Sequence, residues 1–161
     1  MADELGSKRL IHIDFEEGAR AHPRPDVEQE RRIAIYDLLE KNYFFPRGSD
    51  DQGPYSLSLK IAENRLIFAL QTESGDAIED ITLSISPFRS LMKDYATVCE
   101  SYLEAIKTAP RARIEAIDMG RRGLHDVGSE LLRERLKESA EIDFDTARRL
   151  FTLIYVLHMR G

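Results

Sequence analysis

The sequence predicts a small α+β domain in which a mainly antiparallel sheet of three or four strands is followed by a helical C-terminal half. Before Ser86, apolar residues alternate with polar ones in several segments, which is the period of a half-buried strand. From Ser86 onward the apolar period becomes 3.6 residues, as in an amphipathic helix. The 161 residues, of which 42% are hydrophobic and 32% charged, suit one domain that folds without disulfides.

The first elements follow from composition and alternation. Residues 1–8 are small and polar and are predicted to be disordered, leaving a single domain over residues 9–161. Arg9 to Phe15 is a predicted strand with alternating apolar residues. These are Ile11, Ile13 and Phe15.

A first helix is predicted at about residues 27–41, opened by a capping box of Asp26 and Gln29. Residues 42–53 contain proline, glycine and paired aspartates, which indicate a mobile surface loop. The aromatic cluster Tyr43 to Phe45 at its start is expected to pack into the core, the alternative being an exposed contact patch.

Three further strands are predicted, at residues 55–61, 66–70 and 81–85. Turn signals lie between them, at Glu63-Asn64 and at residues 74–76. These strands should therefore form an antiparallel meander.

The C-terminal half contains three predicted helices. One begins at Ser86, a second near Pro110 and a third near Asp143. The last is apolar on nearly all sides over residues 150–157, so we expect it either centrally among other elements or in a subunit contact.

Residues 110–138 break the amphipathic pattern. Arg121 and Gly128 stand where the apolar stripe calls for core side chains, and Gly120 and Gly123 further weaken the helix. Conflicts between local preference and overall pattern are typical of functional or strained places. The segment from Asp118 to Ser129 is therefore the candidate site.

The predicted ligand-binding residues are Asp118, Arg121, Arg122 and His125, with a small anionic ligand bearing phosphate or carboxylate. If the segment stays helical, offsets of three and four residues bring Asp118, Arg122 and His125 together. If it breaks near Gly128, Ser129 could cap a new helix whose free N–H groups suit an anion.

A purely structural interpretation competes with this hypothesis. Gly120 and Gly123 would let another helix approach closely, Arg122 would pair with Asp118, and Arg121 would lay its stem on apolar surface. Both interpretations stay open from the sequence.

Other chemistry has weaker support. Cys99 lies in an apolar stripe and is expected to be an inert core thiol, and the four histidines have no metal-binding spacing. No phosphate-binding loop, nucleophile elbow or dinucleotide motif occurs, so no cofactor is predicted. The net charge of −6 argues against broad nucleic-acid binding.

The expected location is the cytoplasm, without membrane insertion. A single cysteine fits a reducing compartment, and no hydrophobic leader precedes Leu10. The apolar run near the C-terminus falls far short of a bilayer span.

Four segments resemble an uncharacterised protein family of alphaproteobacteria, uncharacterised protein family two-six-two. They are Gly53 to Leu57, Ser86 to Tyr95, Ile114 to His125, and Ile142 to Phe151. The likeness extends from about Glu28 to Gly161 and is most specific at Met119 to His125. It implies a bacterial cytoplasmic protein of this size, with no assigned activity to transfer.

Two functional classes therefore stay open. The first is a non-catalytic interaction or regulatory domain that binds a protein partner or self-associates through its apolar C-terminal helix. The second is a small enzyme or sensor that holds an anionic metabolite at Arg121, Arg122 and His125.

Overall fold

The computed structural model describes residues 7–16 and 23–160 of the chain. They form an α+β fold with a mainly antiparallel sheet and a helical C-terminal half, as predicted. In chain order the elements are β1 (Leu10–Phe15), α1 (Pro25–Glu40), β2 (Phe44–Pro46), β3 (Tyr55–Ala62), β4 (Arg65–Thr72), β5 (Ile81–Ser84), α2 (Ser86–Thr108), α3 (Arg111–Leu136), β6 (Ala140–Ile142) and α4 (Phe144–Arg160).

The N-terminal segment that was predicted to be disordered falls mostly outside the described residues, which begin at Ser7. The Ser7 hydroxyl donates a hydrogen bond to the Gln52 carbonyl at 2.9 Å. The Lys8 ammonium lies 4.5 Å from the centre of the Phe45 ring. These two residues therefore contact the segment that follows α1.

The main sheet has the strand order β1-β3-β4-β5. Strands β3, β4 and β5 form the predicted antiparallel meander, and β1 joins its edge parallel to β3. Glu63 and Asn64 both have positive φ, 52° and 69°, which suits the two-residue turn between β3 and β4. The alternating residues of β3 point into the core as predicted.

Strand β1 departs from simple alternation. Its register against β3 shifts between Leu10 and His12, which is a β-bulge. Leu10, with Ile13 and Phe15, is consequently buried, whereas Ile11 is only half-buried. The prediction that Ile11 lies on the same side of the strand as Ile13 and Phe15 was wrong for this reason.

A second, two-stranded sheet pairs β2 with β6 in antiparallel register, Phe44 opposite Ile142. The prediction of a mobile loop from residue 42 onward was therefore wrong for its first part. Phe44 is fully buried, so the expected packing of the aromatic cluster is confirmed for that residue. Three-residue strands are too short to show a period in the sequence.

Helix α1 begins and ends differently from the prediction. Pro25 occupies the first turn, Arg24 is the N-cap residue, and no side-chain capping bond forms, so the capping box is wrong. Proline's fixed φ suits this position. Asp26 instead pairs with Arg24 at 2.8 Å. After the helix, the Asn42 amide bonds the backbone N–H and carbonyl of Leu10 and the carbonyl of Leu38.

Helix α4 lies centrally, which is the first of the two placements predicted for it. It packs against α1, α3 and β3, and residues 150, 151, 153, 154 and 156 are fully buried. The burial of its apolar sides within the same chain accounts for its composition. Of the helices in the described ranges, none combines the length and apolarity that a membrane span requires.

Candidate functional site

Helix α3 runs without interruption through the candidate segment. It spans Arg111–Leu136, so the helical alternative is right and the break near Gly128 is wrong. Ser129 does not cap a new helix: it is buried, and its hydroxyl donates to the His125 carbonyl one turn back at 2.8 Å. Side chains three and four positions apart therefore share a face as expected.

The three glycines of α3 have different surroundings. A Cβ placed on Gly120 or Gly123 would meet nothing within 4 Å, so these glycines do not serve close helix packing. A Cβ on Gly128 would collide with the Phe151 ring. The close approach of another helix therefore occurs at Gly128, where α4 packs against α3.

Asp118 holds both arginines of the candidate motif. Its carboxylate accepts bonds from Arg121 Nε at 3.0 Å and Nη2 at 2.6 Å, and lies 2.8 Å from Arg122 Nη2. Hydrogen bonding from Arg121 lowers the pKa of Asp118. The Arg121 guanidinium also lies 5.1 Å from the centre of the Tyr102 ring, which explains an arginine at an apolar position.

His125 is partly buried and neutral at physiological pH. Burial, assisted by the positive charges of Arg148 and Arg121, lowers its pKa to about 4. Its Nε2 lies 2.7 Å from the Thr152 hydroxyl, which donates its proton to the Arg148 carbonyl at 3.2 Å. His125 and Thr152 therefore share a hydrogen bond that links α3 to α4.

A cleft of about 460 Å³ opens where α1, α3 and α4 meet, with Tyr95 of α2 at its wall. Four arginines line it: Arg121 and Arg122 from α3, and Arg148 and Arg149 from α4. The remaining lining residues are Glu30, Ile33, Ala34, Asp37, Tyr95, His125, Asp126 and Thr152.

The two arginines of α4 are incompletely bonded. Arg148 Nε lies 3.9 Å from Asp126, and Arg149 Nε lies 3.6 Å from Asp37. Both distances exceed those of hydrogen bonds. Both Nε atoms are buried and have no hydrogen-bond partner among the described residues. Buried donors without partners are uncommon in folded proteins, and a bound molecule or an ordered water is one explanation for them.

The structure brings three of the four predicted site residues to this cleft. Arg121, Arg122 and His125 line it, whereas Asp118 is not among the lining residues and pairs with two of them. The prediction missed the contributions of α1 and α4. The adjacent Arg148-Arg149 pair directly before the apolar residues 150–157 was the available signal for α4, since charged side chains beside a buried segment need a solvated or paired place.

Other parts of the described structure give weaker support for a binding site. A hollow of about 740 Å³ between α2 and α3 has exposed, flexible side chains, such as the Lys107–Glu104 pair at 3.6 Å. Burial raises the pKa of Cys99 to about 11, as fits the expected inert thiol. Within the described residues, no group of three or more His, Cys, Asp or Glu side chains is placed to hold a metal ion.

The fold and the cleft define a small α+β protein with a solvent-open, arginine-lined site between helices. The chain belongs to the Uncharacterised protein family (UPF0262), whose family model matches residues 7–160. The resemblance noted in the sequence is thus confirmed, and the match begins nearer the N-terminus than residue 28.

Relatives in this family span the whole chain. A UPF0262 protein of Brucella canis is 50% identical over 161 residues, covering 100% of both chains. A UPF0262 protein of Bradyrhizobium sp. (strain BTAi1) is 52% identical over 155 residues, covering 96% of this chain and 92% of the relative. No solved structure matches the chain.

Proposed function

We propose that this chain is a regulatory domain that binds a small metabolite bearing a phosphate or carboxylate group in the cleft between α1, α3 and α4. The observation that carries the proposal is the pair of buried, unpartnered Nε donors of Arg148 and Arg149 at the cleft. An anionic oxygen that reached either Nε would accept a charge-assisted hydrogen bond from it.

The arrangement around His125 favours binding over catalysis. In an activated nucleophile, the imidazole accepts the hydroxyl proton. Here the Thr152 hydroxyl also lies 3.2 Å from the Arg148 carbonyl, a hydrogen bond that holds it against the backbone of its own helix. A histidine with a pKa of about 4 is also a weak base at neutral pH. A sensor thus suits this cleft better than an enzyme.

Thermal unfolding with added inorganic phosphate, succinate and acetate tests the proposal. The variants are wild type, Arg148→Gln with Arg149→Gln, and a matched control of Arg111→Gln with Arg135→Gln. The control removes two arginines from exposed positions of α3 and leaves the same net charge. Ligand at a hundredfold excess over Kd stabilises a binding protein by about 2.7 kcal/mol.

We expect wild type and control to gain stability with at least one anion, and the α4 double variant to gain none. The control matters because phosphate stabilises many proteins without binding a site. Equal stabilisation of all three proteins, or of none, would contradict an anion site at these arginines.

The second candidate function is self-association, for which α1 provides the observation. Ile33, Tyr36 and Leu39 lie at offsets of three residues and are 49%, 65% and 37% exposed. A second copy of this chain packed on α1 would cover them. Sedimentation velocity at two concentrations should show a dimer that Tyr36→Ser weakens, and a strict monomer would refute this candidate.

The domain boundary and the cellular location, both expected from the sequence, are also proposals. We propose a single domain from residue 9 onward and a cytoplasmic location, where the Cys99 thiol would stay reduced. Fractionation of the native host, with detection of the chain by antibody, tests the location.

A further inference from the structure

The carboxylates around the cleft are not equivalent. Asp118 pairs with Arg121 and Arg122, Asp126 lies 3.9 Å from Arg148, and Asp37 lies 3.6 Å from Arg149. These carboxylates therefore already face arginines. Glu30 also lines the cleft, yet it has no hydrogen bond or ion pair among the described residues.

The half-buried position of Glu30 disfavours its charged form. Glu30 is half-buried on α1, and its environment includes the Tyr95 side chain, which lines the same cleft. Burial raises the pKa of Glu30, and the attraction of Arg121 only partly opposes that rise. A partly desolvated carboxylate without a partner is stabilised by any cation that reaches it.

The charges of the lining residues also bear on the kind of ligand that the cleft would bind. Four lining arginines face the carboxylates of Glu30, Asp37 and Asp126, with Asp118 bonded to two of the arginines. The charges are thus nearly balanced, and a simple anion gains little from the net field. What the cleft offers, among the described residues, is two separate groups: the Nε donors of α4, which make no hydrogen bond although their guanidinium groups lie near Asp126 and Asp37, and the carboxylate of Glu30 on α1, which has no ion pair.

We infer that the ligand of this cleft is amphoteric, with an anionic group bound by Arg148 and Arg149 and an ammonium group bound by Glu30. The chemical class is an amino acid or an amine-bearing phosphate. This inference rests on the proposed function, since it specifies the molecule that the same cleft binds.

Matched ligand pairs test the inference, because each pair differs only by the ammonium group. The pairs are aspartate with succinate, and phosphoethanolamine with ethyl phosphate, measured by calorimetry at pH 7. The proteins are wild type, Glu30→Gln, and Glu40→Gln as a control that removes an exposed carboxylate from the same helix. The α4 double variant, Arg148→Gln with Arg149→Gln, reports on the anion contact.

For at least one pair, wild type and Glu40→Gln should bind the amine-bearing member about tenfold more tightly, as expected for a charge-assisted hydrogen bond. Glu30→Gln should reduce this ratio to about one while still binding the plain anion. Thermal unfolding of each variant shows that it remains folded. The α4 double variant should bind neither member.

Two outcomes separate the inference from the proposed function. If wild type binds both members of each pair equally and the α4 double variant binds neither, the inference is overturned and the anion site stands. If Glu30→Gln keeps the tenfold ratio, the inference is likewise overturned. If wild type binds none of the four ligands, both proposals are overturned.

Discussion

The three glycines of α3 allow one substitution to be made in contrasting surroundings within a single helix. Gly120→Ala and Gly123→Ala place a methyl group where nothing lies within 4 Å. Gly128→Ala places it against the ring of Phe151, which is fully buried in α4. The intrinsic helix preference is the same at all three, so differences in stability report the contact between α3 and α4.

The magnitudes follow from two opposing effects. Alanine in a helix interior is about 1 kcal/mol more favourable than glycine, so the substitutions at 120 and 123 should each stabilise the protein by about 0.5–1 kcal/mol. At 128 the overlap with Phe151 costs about 1–3 kcal/mol, and this exceeds the helix gain. We expect Gly128→Ala to destabilise by about 1–2 kcal/mol, or to lower Tm by about 2–8 °C.

Urea unfolding followed by circular dichroism measures these changes, with equal slopes required for the comparison. A double-mutant cycle with Phe151→Leu identifies the contact, because the smaller side chain should remove part of the penalty of Gly128→Ala and make the pair non-additive. If Gly128→Ala stabilises as much as Gly120→Ala, α3 and α4 do not touch at this residue and the reasoning fails.

Two further predictions concern the stability contributed by Asn42 and His125. Asn42→Ala removes two side-chain hydrogen bonds to Leu10 of β1 and one to Leu38 of α1, and should lower the free energy of unfolding by about 2 kcal/mol in urea. A loss below about 0.5 kcal/mol would show that this amide does not stabilise the contact between α1 and β1. Folding lowers the pKa of His125 from 6.5 to about 4, so below pH 6.5 the unfolded chain binds a proton at this residue before the folded protein does. The free energy of unfolding should therefore be highest above pH 6.5 and fall as the pH drops toward 4. The expected loss is about 2 kcal/mol after allowance for partial exposure. His125→Gln should flatten the unfolding free energy over that range, and an unchanged pH profile would refute the assignment.

Elements with a sustained period were predictable from the sequence. Strand β3 and helix α2 repeat their apolar spacing over several residues, and β4 contains a continuous apolar run over residues 66–70, so the sequence pattern and the burial in the structure agree. Strands β2 and β6 have three residues each and become strands only because the end of α1 and the start of α4 bring them together. The bulge in β1 likewise depends on its register against β3, which the β1 sequence does not contain.

The candidate site was predictable only where it lies on one helix. Arg121 stood out because it interrupts an apolar stripe, and the structure explains the interruption through the Tyr102 ring and the Asp118 carboxylate. The contributions of Glu30 and Arg149 depend on the packing of α1 and α3 on the two sides of α4. Charged residues on separate helices have no shared spacing in the sequence, so they join one site only through tertiary structure.

The bonding of the arginines shifts the expected ligand contact from α3 to α4. Arg121 and Arg122 hold Asp118 at 2.6 Å and 2.8 Å, so an incoming anion would have to compete with strong, already formed pairs. Arg148 and Arg149 face their carboxylates at 3.9 Å and 3.6 Å, beyond hydrogen-bonding distance. An anion can bond these two without breaking an existing hydrogen bond at Nε. Under the proposed function we therefore expect an anion to contact the α4 arginines, while the α3 arginines hold Asp118 beside the cleft.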